Sequence, residues 1–557
     1  MDDTITLGSD APAGRRYSTD NNILDPIKPV NPFPRIEVAV LAVALFFLIG
    51  CMVQRPPMQL AAETADLRSM PYPEREFRGV WIATVANIDW PSQPGLPVAR
   101  QQAELIALLD RAAALNMNAV VFQVRPAADA LYASALEPWS EYLTGEMGKA
   151  PEPFYDPLAF AVEEAHRRGL ELHAWFNPYR ARHVSMKSPA APNHVSQIYP
   201  DAVKHYGRYL WLDPGEQVAE EQTVRVILDV VQRYDIDGVH LDDYFYPYKE
   251  KDAAGRILDF PDEASWTRAV AAGESRSRDD WRRGNVDRLM ERLYREIKGT
   301  KPWVKFGISP FGIWRPGHPA PIKGLDAYAE LYADARKWFV NGWVDYFSPQ
   351  LYWKIDAPAQ SYPVLLAWWQ KQNRMGRHLW PGNFTSRINS TEGQRWSADE
   401  IVNQIHLTRK QEGASGNIHF SMKALMENRD AIGDHLSDNL YALPALVPAS
   451  PWLNPVPPPR PMLNLYHDPD AFNTTIEMSP VGDTMAAQWV VRARYGETWT
   501  MDILPGQQQV YTFTGKPDVV AVSVVDRVGN EGPVGIEVTA EQPSVSPTAP
   551  GQQKTGW

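Results

Sequence analysis

Residues 235–247 read DIDGVHLDDYFYP: a strand-like run from Val239 to Leu241 leads into two adjacent carboxylates, Asp242 and Asp243, followed by Tyr244, Phe245 and Tyr246. Paired acids beside flat rings suit hydrolysis of a glycosidic bond. That reaction needs two carboxyl groups about the bond and platforms that hold the sugar rings. Side chains alternate along a strand. With Val239 and Leu241 turned to covering helices, His240, Asp242 and Tyr244 would point the other way. An inward carboxylate carries a heavy desolvation cost unless it is used or paired, which makes Asp242 the leading catalytic candidate. Asp243 could be its partner, an arginine anchor or a loop cap. The plain structural alternative for both acids is a salt bridge to Arg125 or Arg180.

Eight strand-like runs set the frame: FRGVWIATV from 77, NAVVFQV from 118, LHAWFNP from 172, GVHLDDY from 238, KFGISPF from 305, DYFSPQLYW from 345, HLWPGNF from 378 and GNIHFSM from 416. Helix-length amphipathic segments such as AELIALLDRAAALN, PLAFAVEEAHRRG and NVDRLMERLYREIKG separate them. Near-continuous apolar strands alternating with helices indicate a parallel sheet covered on its faces. Eight units in this length predict an α/β fold, a (β/α)8 TIM barrel with enlarged loops. A doubly wound open sheet is the alternative, but no glycine-rich phosphate loop follows the first run.

In such barrels chemistry sits at the C-terminal strand ends, and polar and aromatic residues gather there. Strand one ends in Asn87, Asp89 and Trp90, strand two in Arg125, Asp129 and Tyr132, and strand three in Asn177, Tyr179 and Arg180. Strand five gives Trp314 and Arg315; strand six gives Gln350, Tyr352, Trp353, Lys354 and Asp356; strand seven gives Asn383. The opposite ends carry turn chemistry. Tyr244, Tyr246, Trp314, Tyr352 and Trp353 are candidate sugar platforms. Arg125, Asp129, Asn177, Tyr179, Arg180, His240, Gln350 and Asn383 are candidate polar contacts. Strand five lacks an acid, so the second carboxyl is sought among Asp243, Asp356, Asp89 and Asp129, in that order. Alternation sends Asp242 and Asp243 in opposite senses, which favours Asp356 and Asp89 for flanking one bond.

The chain has 557 residues, enough for two or three domains. A formal net charge of -12 argues against nucleic acid as a partner. The 20 tryptophans favour a carbohydrate ligand, and the single cysteine rules out an intramolecular disulfide or a cysteine-rich metal site. Ile36 to Gly50 is apolar apart from Glu37 and ends on LIGC at Cys51. This is the pattern of a lipoprotein signal whose cysteine is lipidated; an uncleaved membrane anchor is the alternative. Either one tethers the rest of the chain outside the cytoplasmic membrane. Oligomeric state is not legible. A metal-dependent hydrolase or deacetylase could draw on His240, Asp242 and His173, but there is no HExxH and no second histidine pair at metal spacing. No metal and no cofactor is expected. A non-catalytic glycan-binding barrel is a further alternative.

EFRGVWIATVANIDWPS (76–92), FQVRPAADALYAS (122–134), AWFNPYR (174–180), DGVHLDDYFYPY (237–248) and DYFSPQLYW (345–353) resemble the signature blocks of the glycosyl-hydrolase-like family 10. The resemblance covers about residues 75–435. It implies a TIM-barrel glycoside hydrolase, commonly an envelope lipoprotein, of a kind associated with peptidoglycan and with cleavage of glycan strands stripped of peptides. The expected organisation is a signal or anchor over 1–53, a linker over 54–75, the barrel over 76–440 and a Pro-rich semi-rigid linker over 441–461. A small β-sandwich follows over 462–540, with a disordered tail over 541–557. VSVVDRVGNEG in the sandwich resembles the last hairpin of a fibronectin type III-like domain.

Overall fold

The computed structural model describes residues 67–391, 395–468 and 470–539. Cys51, the apolar segment before it and the tail lie outside the described residues. Among the described residues no helix is long and apolar enough to cross a membrane.

The barrel strands are β1 (Phe77–Ile82), β2 (Ala119–Arg125), β3 (Glu171–Phe176), β4 (Gly238–Leu241), β5 (Lys305–Ile308), β6 (Tyr346–Phe347), β7 (378–383) and β8 (Gly416–His419). Each pairs in parallel with the next, and β8 returns to β1. Closure runs through β7, which is built in two pieces. His378–Leu379 pairs with β6, and Gly382–Asn383 pairs with β8. Between them Trp380 N donates to Phe347 O at 3.0 Å, and Ile418 N donates to Pro381 O at 3.1 Å. The eight sequence runs are therefore the eight staves of one barrel.

Alternation sorts the two faces. Val80, Ile82, Val120, Phe122, Val124, Val239 and Leu241 join the layer packed against the helices. Phe77, Trp81, Val121, Trp175, Tyr346, Trp380 and Ile418 fill the barrel. Phe77 and Trp380 stack at 3.7 Å between centroids, closing the lower end with flat rings. Outside, α1 (Val98–Ala114) turns Leu105, Leu108, Leu109 and Ala112 inward at helical spacing. The helix α2 (Pro157–Arg167) starts on Asp156, whose side chain accepts from Leu158 N and Ala159 N, with proline at the first helical position. Five more helices complete the ring: α3 (Gln217–Arg233), α4 (Arg278–Thr300), α5 (Ala335–Asn341), α6 (Tyr362–Gln372) and α7 (Ala398–Lys410).

The C-terminal region is two antiparallel sheets. One orders β9 (Met462–Asp468), β10 (Asn473–Ser479) and β13 (Val510–Thr514). The other orders β12 (Thr498–Pro505), β11 (Gln488–Tyr495), β14 (Val519–Val525) and β15 (Gly535–Val538). Ile476, Met478 and Phe513 meet Trp489, Val491, Val520 and Val522 between them. In β9 and β10 polar residues mask the alternation of Leu463 and Leu465.

The Pro-rich stretch expected to be a semi-rigid linker is instead part of the packed structure. Ala445–Leu446 pairs in parallel with Glu74–Arg75, Val447 and Ser450 are buried, and Trp452 Nε1 donates to Asp345 Oδ1 at 2.9 Å. Apolar residues between the prolines give it something to bury. The sandwich thereby lies against the N-terminal ends of the barrel strands. Arg527 pairs with Asp237 at 2.8 Å, and Gln488 Nε2 donates to Gly169 O at 2.9 Å.

Candidate active site

At the opposite pole, β4 ends on Leu241, one residue short of the acids. Strand alternation therefore stops before the acids: Asp242 takes its donors from the β3 end, and Asp243 takes its own from Tyr248 and the β6 end. Both bear on the same guanidinium, that of Arg180. Asp242 Oδ2 accepts from Trp175 Nε1 at 3.1 Å, and both of its oxygens lie 3.2 Å from Asn177 Nδ2. Asp243 Oδ2 accepts from the Tyr248 hydroxyl, and Gln350 hydrogen-bonds the same carboxyl. Gln350 is fixed in turn by Nε2 donating to Ser309 O at 2.9 Å.

Burial pushes Asp242 up to about 7; Arg180 and the Trp175 and Asn177 donors oppose this, and neighbouring Asp243 adds to it. Burial also raises Asp243, against the pull of Tyr248, Gln350 and Arg180. Buried carboxyls raised in this way at a barrel mouth are candidates for acid–base chemistry.

The glycosyl hydrolase-like 10 family model matches residues 76–398. The chain belongs to this family. It is a glycoside hydrolase. Among curated relatives, glycosyl hydrolase YngK of Bacillus subtilis is 44% identical over 436 residues, 77% of this chain and 82% of that protein. Glycosyl hydrolase DigH of Escherichia coli K12 is 36% identical over 357 residues, 60% of this chain and 79% of its own. Among solved structures, the endo-β-1,4-mannanase of Thermotoga petrophila superposes with a TM-score of 0.39 at 9% identity, covering 84% of this chain and 97% of that one.

In this family 10 barrel the remaining candidates divide into mouth and frame. Tyr244, Gln350, Tyr352 and Trp353 are half-buried around the acids. Arg180 lies 4.7 Å over the Tyr244 ring, Tyr352 stacks on Phe384 at 4.6 Å, and Trp353 meets Phe311 edge-on at 5.5 Å. Trp314, also half-buried, stands further out on the loop after β5, stacked on Trp368 at 5.9 Å and donating to Asp334 Oδ1 at 3.0 Å.

Others are structural. Arg125, fully buried, donates through Nε to Glu137 at 2.8 Å and through Nη1 to Asn177 O at 2.6 Å. It holds the β3 end rather than pairing with Asp242. Asp129, also fully buried, accepts from Ala127 N at 2.8 Å within its own loop. Tyr179 is enclosed in the helix layer, and Tyr246 packs against Phe260 and Tyr332. Asn383 bonds Gln404 and Asn417 at 2.9 and 2.7 Å between strand and helix. His240 is fully buried beneath Asp242. These six are shut off from a sugar in the mouth.

Two proposed second acids are also set apart. Asp356 is exposed in the turn after β6. Asp89 accepts from Ala83 N at 2.7 Å and from the Ser421 hydroxyl and Lys423 N, both at 2.8 Å. It ties the β1 and β8 loops together across the ring from β4; burial raises it to about 6.

Sequence reasoning missed Trp175, Tyr248, Ser309 and Trp81. Alternation could have found Trp175, which shares the inward face of β3 with His173 and Asn177. Nothing local marks Tyr248, which lies in an irregular loop.

Proposed function

We propose that this enzyme cleaves the glycan of an amino-sugar polymer of the cell envelope, with peptide-free peptidoglycan strands as substrate and Asp242 and Asp243 as the catalytic pair. The reading rests on one observation: two neighbouring buried carboxyls share the mouth but take different donors. Asp242 receives indole and amide N–H groups and faces Arg180, all of which favour its charged form. It is the carboxylate, acting as nucleophile in a retaining reaction or as general base in an inverting one. Asp243, raised by burial against its phenol and amide donors, is left to carry the proton for the leaving oxygen. Tyr244, Tyr352 and Trp353 offer ring faces for the sugars on either side. The substrate class is supported by the family's association with peptidoglycan.

A tether fits this assignment: lipidation at Cys51 would hold the enzyme in the envelope beside its polymer. Cys51→Ala should then abolish palmitate labelling and membrane association; a full-length anchored protein unlabelled in the wild type would point to the transmembrane alternative. For the activity, purified enzyme is given denuded strands, intact sacculi, chitooligosaccharides, starch, xylan and cellulose, with products read by mass spectrometry. Release from denuded strands with peptide-bearing sacculi resistant is expected. Cleavage confined to starch, xylan or cellulose would sink the substrate assignment.

A further inference from the structure

Beneath the catalytic pair, the barrel axis holds a line of polar groups that touch no sugar. His240 Nε2 lies 3.2 Å from Trp81 Nε1 and 2.8 Å from Ser309 Oγ; its Nδ1 lies 3.0 Å from the Tyr346 hydroxyl. That hydroxyl is 2.9 Å from His173 Nδ1, and His173 Nε2 is 2.9 Å from Glu171 Oε2. Glu171 ends the line in an ion pair with Lys305 at 2.7 Å.

The proton positions follow from one fact: an indole N–H can only donate. His240 Nε2 must therefore accept from Trp81, so the ring's proton sits on Nδ1 and is given to the Tyr346 oxygen. The phenol proton then goes to His173 Nδ1, and His173 Nε2–H goes to the Glu171 carboxylate. From His240 to Glu171 the line runs one way, while the Ser309 hydroxyl is divided between Nε2 and Leu241 O at 3.4 Å. The groups facing His240 are Tyr346 from β6, His173 from β3, Trp81 from β1 and Ser309 from β5, with Asp242 above it on the same segment. Burial lowers the basicity of His240, in keeping with a neutral ring.

We infer that Tyr346, His173 and Glu171 are positioning residues for the glycosidic reaction: they lock His240 as its neutral Nδ1–H form, whose Nε2 lone pair holds Trp81 and Ser309 in place under the acids. The link upward runs through the backbone of Ser309. Ser309 O receives Gln350 Nε2 at 2.9 Å, and Gln350 hydrogen-bonds Asp243. An apolar layer would fill the same volume without burying Lys305 and two imidazoles, which is costly unless every partner is satisfied. A fully satisfied buried network instead fixes one arrangement of the side chains above it. The inference rests on Asp242 and Asp243 being the reacting pair.

The test uses the full chain with 15N-labelled histidine, His240 being assigned by the signal lost in His240→Gln. Wild type should show the neutral Nδ1–H pattern at His240. Tyr346→Phe keeps the ring on Trp380 and removes only the hydroxyl. It should shift the Nδ1 signal, since that N–H loses its acceptor while Trp81 still donates to Nε2, and lower kcat about tenfold on soluble denuded strands with KM little changed, as expected for one lost buried hydrogen bond. Glu171→Gln keeps an acceptor for His173 and should retain most of kcat, whereas Glu171→Leu should not. A wild-type His240 that is charged or protonated on Nε2 overturns the inference, and this needs no variant to fold. So does Tyr346→Phe with unchanged kcat, or with a loss that only tracks its unfolded fraction. Full activity in both Asp242→Asn and Asp243→Asn would instead refute the catalytic pair while leaving the histidine pattern to stand.

Discussion

Trp175→Phe offers a direct test of what Asp242 does. The indole N–H donates to Asp242 Oδ2 at 3.1 Å, and phenylalanine keeps a flat ring there without the donor. Hydrogen bonds to charged groups contribute about 1.5–3 kcal/mol. This one is longer than the 2.7–2.9 Å typical of the strong charge-assisted kind, and Asn177 stays in place, so the lower end applies. At 1.36 kcal/mol per unit, removing it raises the Asp242 carboxyl by about one unit, from about 7. The sign is fixed, because the donor favours the carboxylate and its loss favours the acid. If Asp242 reacts as the carboxylate, the acidic limb of the kcat/KM profile moves up by about one unit. Activity at pH 6 then falls about tenfold while the high-pH plateau is kept. The assay is a pH–rate series on denuded strands. Movement of the alkaline limb instead would exchange the roles of the two acids. A profile that does not move, in a folded variant, would refute the assignment of Asp242 to the chemistry.

Asp242→Asn should leave thermal stability and strand binding near wild type while turnover falls by about 10² to 10⁴, the typical loss for one acid–base group; near-normal turnover would name another residue. Tyr248→Phe removes a donor that holds Asp243 down against burial, so the alkaline limb should shift to higher pH, again read from kcat/KM. Arg527→Ala removes one of the cations, with His166, that depress Asp237. Stability gained from a depressed acid is present above its unfolded value, about 3.9, and is lost as pH falls. The variant should therefore melt earlier at pH 7, with the gap to wild type closing in strong acid.

The barrel was legible because each stave carries its own signal, an apolar run with helices on either side. Even β7 showed as a run, although Trp380 and Pro381 split it. The site was legible only as far as regular backbone extends. On β4 alternation placed Val239, His240 and Leu241 on their observed faces, and Asp242 just beyond them. At Asp243 the strand has ended, and the rule no longer applies. Arg125, Asn383 and Tyr246 show a second limit: a polar or aromatic residue at a strand end looks alike whether it meets a sugar, Glu137 or Gln404. Which partner it takes depends on loops folded from distant sequence. The histidine line was illegible for that reason, since Glu171, His173, His240 and Tyr346 come from three strands and no spacing joins them.

The described chain begins beside the sandwich, with Trp499 Nε1 3.2 Å from Ser69 Oγ and Arg492 Nε donating to Pro71 O at 2.8 Å. Glu74–Arg75 then pairs with Ala445–Leu446 before β1 rises from the barrel floor. The polypeptide thus enters at the pole opposite the acids. An attachment made through that end grips the floor and leaves the mouth clear of its own point of fixture.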